Sequence, residues 1–409
     1  MKDKKKPIKL NDQQLMLDAS RVADIYHQMT IDLFDQVIDR VRERGTASLE
    51  DNPYIWQLEK MSEMGLLNKD NIKLIARYSG IAEEQLRYVI ENEGYKVYKD
   101  TKTQLLESMG GGDFVTNNLI QTMLANYVNQ TTGDIDNLIN TTLPKSVRKV
   151  YQDIVEEAVA KVVTGLMNPN KAISTTVMKW AEKGFYGFTD KGGKRWRADT
   201  YARTIIKTTS WRVYREARKA PADELGIDTF YYSMKPAARE MCAPLQHQIV
   251  TTGQARVEEG EKIFALDDYG YGKPGGCQGI NCGHTMTPFI PGANYKPDLP
   301  KHLANLTPEE AIENANVQSK QRAIERSIRR SKELLHVANK LEDDELISKY
   351  KGQVKARQAA MRSYLAQHPF LHRDYSRERY YSDPLREAET EIKLRKQQKK
   401  KAGDPNLDS

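Results

Sequence analysis

Cysteine is scarce in this chain of 409 residues: there are three, an odd number and too few for a disulfide scaffold. Long apolar runs are lacking as well. No stretch approaches the roughly 20 residues that a membrane-spanning helix needs. The start, Met1-Lys2-Asp3-Lys4-Lys5-Lys6, is basic but lacks the apolar segment of a secretory signal. These features predict synthesis in a reducing cytoplasm and no membrane span. Signatures of catalysis are missing too. There is no H-E-x-x-H pattern, no G-x-x-x-x-G-K-[ST] loop and no Rossmann fingerprint after a strand. Gly110-Gly111-Gly112 and Gly192-Gly193-Lys194 read as turns. No internal repeat of fixed period is present. The expectation is a protein that is not an enzyme. Only 39% of residues are hydrophobic against 29% charged. That balance fits an elongated helical protein, or a subunit that completes its burial in an assembly.

What is abundant is positive charge, and it is uneven. The net charge is +7. Lys2, Lys4, Lys5, Lys6 and Lys9 form a basic head; Lys393, Arg395, Lys396, Lys399, Lys400 and Lys401 form a basic tail. Such arms suit a polyanion such as double-stranded DNA, which makes Lys4, Lys5, Lys6, Lys396, Lys399, Lys400 and Lys401 the candidate contacts. Solvated, disordered termini are the more usual reading of such runs. Lys191 to Arg197 is also basic with Trp196 inside it, and reads as a hairpin tip or as a nucleic-acid contact.

The hydrophobic pattern is mainly that of helices. From Asp12 to about Arg44 apolar residues recur every three or four positions, through Val22, Ile25, Met29, Leu33, Val37 and Val41. Three short helices are expected next, over 53–64, 70–79 and 82–93, with Gly65, Gly80 and Gly94 at their ends. Helical spacing continues through 114–175 and again over 198–219. Between them lies a glycine- and aromatic-rich hairpin, Trp180 to Trp196. Ile227 to Met234 is the best strand by β-branched and aromatic content. Thr307-Pro308-Glu309-Glu310 is a capping sequence. It opens one long polar helix to about Ala366, with Ile324, Ile328, Leu335 and Leu341 as a thin seam. The expected fold is mainly α. It comprises a helical N-terminal region (1–110), a small central α+β domain with a Cys/His knot (111–295), and a long, extended helical C-terminal arm (296–409).

All three cysteines and two of the seven histidines fall between 236 and 291. Cys242-x4-His247 and Cys277-x4-Cys282-x-His284 offer five ligands in two knots. Tetrahedral zinc is often held this way, by thiolates and imidazoles on two tight loops. Gly275, Gly276, Gly279 and Gly283 would let the second loop turn sharply. A structural zinc on Cys242, His247, Cys277, Cys282 and His284 is one reading. Packing of buried thiols without metal and a late disulfide are the others. A Cys/His nucleophile is a fourth, but nothing in the sequence marks either cysteine as activated.

At this stretch the chain resembles the phage minor capsid protein 2 family, akin to the Mu F-like head morphogenesis proteins. The resemblance is carried by Trp196, Tyr201-Ala202-Arg203-Thr204-Ile205-Ile206-Lys207-Thr208 and Ala238-Arg239-Glu240-Met241-Cys242-Ala243-Pro244-Leu245-Gln246. It continues through Tyr271-Gly272-Lys273-Pro274, Gly279-Ile280-Asn281-Cys282-Gly283-His284 and Pro288-Phe289-Ile290-Pro291-Gly292. In the broader relatives the second knot reads His-Pro-x-Cys-Arg-Cys, a version this chain lacks. The resemblance covers about 150–295 and implies a low-copy virion protein. Such a protein joins the procapsid near the portal, within the head, after synthesis in the host cytoplasm. Portal, major capsid or scaffold protein are its implied partners, and packaged or ejected DNA a further contact. A metal-dependent hydrolase or a toxin-like transferase is the enzymatic alternative, and no recognisable catalytic set supports it.

Overall fold

The structure is a computed structural model. It describes all residues except 1–5, 9–13, 44, 116, 190–192, 194, 281, 381–383 and 402–409. For 6, 7, 138, 140, 141, 186–189, 376 and 399–401 it describes the backbone alone.

The N-terminal half is helical: α1 (Gln14–Arg42), α2 (Ala47–Asp51), α3 (Pro53–Tyr88), α4 (Gly94–Ser108), α5 (Asn118–Thr141), α6 (Leu143–Val163) and α7 (Pro169–Lys183). The first helix is the hub. Its apolar stripe seeds the core, and every residue from Ile25 to Ile31 is buried, including His27, Gln28 and Thr30. A helix buried all round in this way belongs to the middle of a bundle. It packs chiefly on α3 and on α8 (Ala198–Glu224), which follows the hairpin β2 (Tyr186–Thr189)/β3 (Arg195–Arg197).

The three short helices expected over 53–93 are one. Gly65 and Gly80 lie inside α3, where a Cβ would meet nothing within 4 Å. Each costs about 1 kcal/mol relative to alanine. Burial of Trp56, Leu67, Ile75, Tyr78 and Leu86 along one face outweighs that cost, at roughly 1.5–3 kcal/mol for each large side chain. Gly94 also ends no helix. It follows a single π-helical segment, Val89–Glu93, and lets α4 approach its neighbours. A Cβ at Gly94 would stand 2.8 Å from Leu124 and 3.1 Å from Val213.

Beyond Gly226, whose φ of +69° turns the chain, comes the central sheet. Its strands are β4 (Thr229–Tyr232), β5 (Ile249–Thr251), β6 (Arg256–Glu258), β7 (Glu261–Ala265) and β8 (Met286–Pro288). They lie in the order β6-β7-β5-β4-β8, with β5 and β7 parallel and the other pairs antiparallel. Alternation along β4 sends Tyr231 to one face and Tyr232 to the other. Tyr231 packs with Ile8, Ile249, Ile263 and Phe289; Tyr232 packs with all three cysteines. A short parallel pair, β1 (Lys6–Pro7) with β9 (Asn294–Tyr295), ties the N-terminal segment to the exit of this region.

The last third holds α9 (Lys301–Ala304), α10 (Pro308–Leu341), α11 (Asp344–Gln367), α12 (Tyr375–Glu378) and α13 (Pro384–Lys401). Thr307 and Glu310 form the expected capping box. The single long helix expected to Ala366 is instead two antiparallel helices. Glu342 adopts φ +56°, and the Asp343 side chain caps α11 by accepting from Leu346 N–H. Nor does this part extend away from the rest. Leu334, Val337, Ala338, Leu341, Leu385 and Ala388 join the same apolar core as α1, α3 and α6. Arg77 bonds Glu389 at 2.7 Å, closing α13 over α3. The thin seam was adequate because α10 buries it on the molecule's own helices. No helix among the described residues is long and apolar enough to cross a membrane.

Buried charges fasten the two ends of the chain together. His27 Nδ1 lies 2.8 Å from Asp199 Oδ2, and Arg197 Nε 3.2 Å from Asp199 Oδ1. Glu333 on α10 bonds Arg330 at 2.6 Å and faces Arg197 at 3.7 Å. Burial alone would raise the Asp199 carboxyl. The Arg197 guanidinium, His27 and the Thr200 N–H overcome it and hold that carboxyl well below the usual carboxylate range.

Candidate metal centre

The knot is built on three pieces. Arg239 to Gln246 runs through a tight turn and a short 3-10 helix, Ala243–Leu245, placing Cys242 against the β4 face that carries Tyr232. The glycine-rich turn 270–283 brings in Cys282. Its compactness depends on residues without side chains: a Cβ on Gly276 would lie 1.8 Å from Gly270 O, and one on Gly279 2.3 Å from Lys273 O. His284, two residues before β8, is stacked on Tyr232, with ring centroids 5.1 Å apart.

Of the five expected ligands, three converge. Cys242 Sγ and Cys282 Sγ are 3.8 Å apart, and Cys282 Sγ is 3.6 Å from His284 Nδ1. Donor atoms of all three lie within 4.8 Å of one another, and all three residues are buried. His247 is not among them. It sits at φ +59° on the opposite face of the sheet, 3.0 Å from the Tyr231 hydroxyl, because alternation along β4 separates Tyr231 from Tyr232. Cys277 lies in the same core but turns its thiol to Leu266 O at 3.6 Å, and burial pushes it up to about 12. Asn281 lies outside the described residues.

Second contacts orient the histidine. Gln246 Oε1 accepts from Lys235 N–H at 2.7 Å and sits 3.0 Å from His284 Nε2. An oxygen already accepting one proton calls for a second donor, so Nε2 carries the hydrogen. The Nδ1 lone pair is thereby aimed at the sulfurs, the usual arrangement for a metal-binding imidazole. The two thiols are not equivalent. Donating to Cys282 pushes Cys242 up, and burial adds to it. Accepting from Cys242 outweighs burial and pulls Cys282 down, making it the more acidic thiol of the pair. Arg215 and Lys235, both pushed down by burial, face that sulfur as cations.

These distances suit three of the four corners of a tetrahedral zinc. Two sulfurs at ~2.3 Å from a tetrahedral zinc are about 3.8 Å apart, and a sulfur and an imidazole nitrogen about 3.6 Å. Sequence reasoning named the three residues that converge but missed Gln246, whose role depends on a contact across 38 positions. Substituting Gly276 by alanine forces the turn apart. The expected cost is more than about 3 kcal/mol, read by thermal melting, whereas Gly275→Ala, which meets nothing within 4 Å, is expected to be mild.

The candidate phosphate contacts are placed differently. Lys4 and Lys5 lie outside the described residues, and Lys6 is described only as the strand partner of Asn294. Lys396 pairs with Glu84 at 3.1 Å, and Lys399, Lys400 and Lys401 continue α13.

Comparison with known proteins bears on the whole chain. A structural protein of Lactococcus phage LL-H is 30% identical over 371 residues, covering 87% of this chain and 98% of that protein. A structural protein of Lactococcus phage mv4 is 34% identical over 118 residues, 29% of this chain and 92% of that protein. No solved structure matches. The family described as Phage minor capsid protein 2 matches residues 10–366, through all the helices from α1 to α10, the sheet and the Cys/His knot, and the chain belongs to that family.

Proposed function

We propose that this protein is a non-enzymatic structural part of a phage virion. It joins the procapsid beside the portal during assembly in the host cytoplasm, with a structural zinc at Cys242, Cys282 and His284. The observation that carries this reading is how its most reactive side chains are used. The three cysteines are buried, and Cys242, Cys282 and His284 lie against one another in the core rather than facing a substrate. Bound zinc would clamp the 239–246 turn to the 270–283 turn and so hold the sheet's packed face. The relatives' description as structural proteins agrees with this role. Portal, major capsid or scaffold protein are the proposed partners.

The assembly role is tested with the tagged full-length chain, co-expressed in turn with the portal, major capsid and scaffold proteins of its phage. Retention of the portal, together with detection of the chain in purified virions by mass spectrometry, is expected. Absence from virions would remove the structural role, and retention of capsid alone would move the contact off the portal.

A second reading, a DNA contact within the head, draws support from the chain's excess of cations.

A further inference from the structure

A second group of charges lies beside the knot. Arg203 and Lys207 follow each other by one turn of α8, with Trp211 a further turn on. Arg322 and Arg329 lie two turns apart on α10. Lys235, just past β4, holds its Nζ 5.6 Å from the Trp211 ring. The Ala238 N–H donates to Ala311 O at 2.9 Å, tying that loop to the start of α10. Arg377 on α12 is brought in by Lys332 Nζ, which donates to Glu378 O at 2.8 Å.

These cations face one another. Burial, then the charges of Arg377, Arg322, Arg203 and Lys235, push the Lys207 ammonium below the usual lysine value, though it remains solvent-accessible. Some of the group have carboxylate partners: Arg203 has Asp24, Arg322 has Glu325 at 2.7 Å, and Arg377 has Asp374 at 2.9 Å. Lys207 makes no ion pair with a carboxylate among the described residues, and Lys235 faces the Cys282 sulfur rather than a carboxylate. Arg329 faces Glu333, Asp199 and Asp24, but each of those is bonded to another cation. Like charges gathered with too few counterions cost free energy, and a bound polyanion relieves it.

We propose that the seam between α8, α10 and the Lys235 loop binds the phosphate backbone of nucleic acid, with Lys207, Lys235 and Arg329 as its contacts. It presents clustered cations, and phosphate contacts are made by Arg and Lys side chains, whereas a peptide draws specificity from side-chain pockets. The inference rests on the virion reading, in which packaged DNA is the polyanion at hand. It moves the contact from the terminal arms to the folded body.

The full-length chain is titrated with a short labelled DNA duplex between ~50 and ~200 mM salt. Lys207→Gln/Arg329→Gln is expected to weaken binding at least about tenfold and to flatten the log–log salt slope by roughly 2. Lys207→Gln alone should flatten it by about 1. If the double variant melts early, this exposed single change decides. A tail variant, K396Q/K399Q/K400Q/K401Q, should lose much less. Unchanged binding by the seam variants, with loss in the tail variant, would overturn the seam while leaving a DNA contact intact. No binding by the unaltered chain would remove the DNA reading altogether. Displacement of the duplex by polyglutamate at equal charge would assign the seam to an acidic protein instead.

Discussion

Replacing Cys282 by serine is expected to strip about one zinc from each chain and to lower the melting temperature by on the order of 10 °C. Cys282 is the pivot of the ligand set, within 3.8 Å of Cys242 Sγ and 3.6 Å of His284 Nδ1. A serine hydroxyl keeps the shape but does not ionise near neutral pH, so the site loses its anionic ligand. Cys277→Ser is the control. Its thiol bonds Leu266 O outside the trio, so the metal content should stay as it is. Metal analysis and melting of protein purified under reducing conditions read both. If the unaltered chain carried no zinc and melted the same with chelator, the metal would be refuted in favour of packed thiols. If the thiol count fell under oxidising conditions and Cys242→Ser prevented it, the pair would be the late disulfide that was the third reading of its sequence.

Asp199→Ala is expected to cost about 3–5 kcal/mol, the penalty for leaving a buried charge network without its central anion. Arg197 and His27 both bond this carboxylate, and Glu333 of α10 faces the same pair. The loss should appear first as release of the α10–α11 hairpin, read by limited proteolysis. Acid should mimic it. The folded-state carboxyl is held below its unfolded value of ~3.9, so its contribution is complete above about pH 4 and is lost as pH falls through the folded value. Asp199→Asn should flatten that acid limb of the stability curve. An unchanged limb would place the acid sensitivity elsewhere.

Much of the fold was legible because it is local. Val22, Ile25, Met29 and Leu33 announce α1 by spacing alone, and Thr307 with Glu310 announces the start of α10. The strand around Phe230 and the hairpin before Ala198 were readable from β-branched, aromatic and glycine content. What misled was local too. Gly65 and Gly80 look like stops, yet the gain that carries α3 through them lies in burial against other helices. Glu342 does not look like a break, because its left-handed backbone is set by how α11 folds back on α10.

Residue types, period and motif order determined by themselves that this chain is mainly helical, that its middle carries a Cys/His knot, and which family it resembles. All three follow from chemistry carried along the chain. Tertiary structure alone decided which ligands meet. His247 is only five residues from Cys242, yet the pleat of β4 puts it on the other face of the sheet. His284 lies 42 positions beyond Cys242, yet it joins that residue and Cys282 in one cluster. Tertiary structure also decided that the C-terminal helices fold back on the first, and that Lys207 lies among the charges of Arg377, Arg322, Arg203 and Lys235. Those facts depend on contacts between distant segments, which a one-dimensional pattern does not contain.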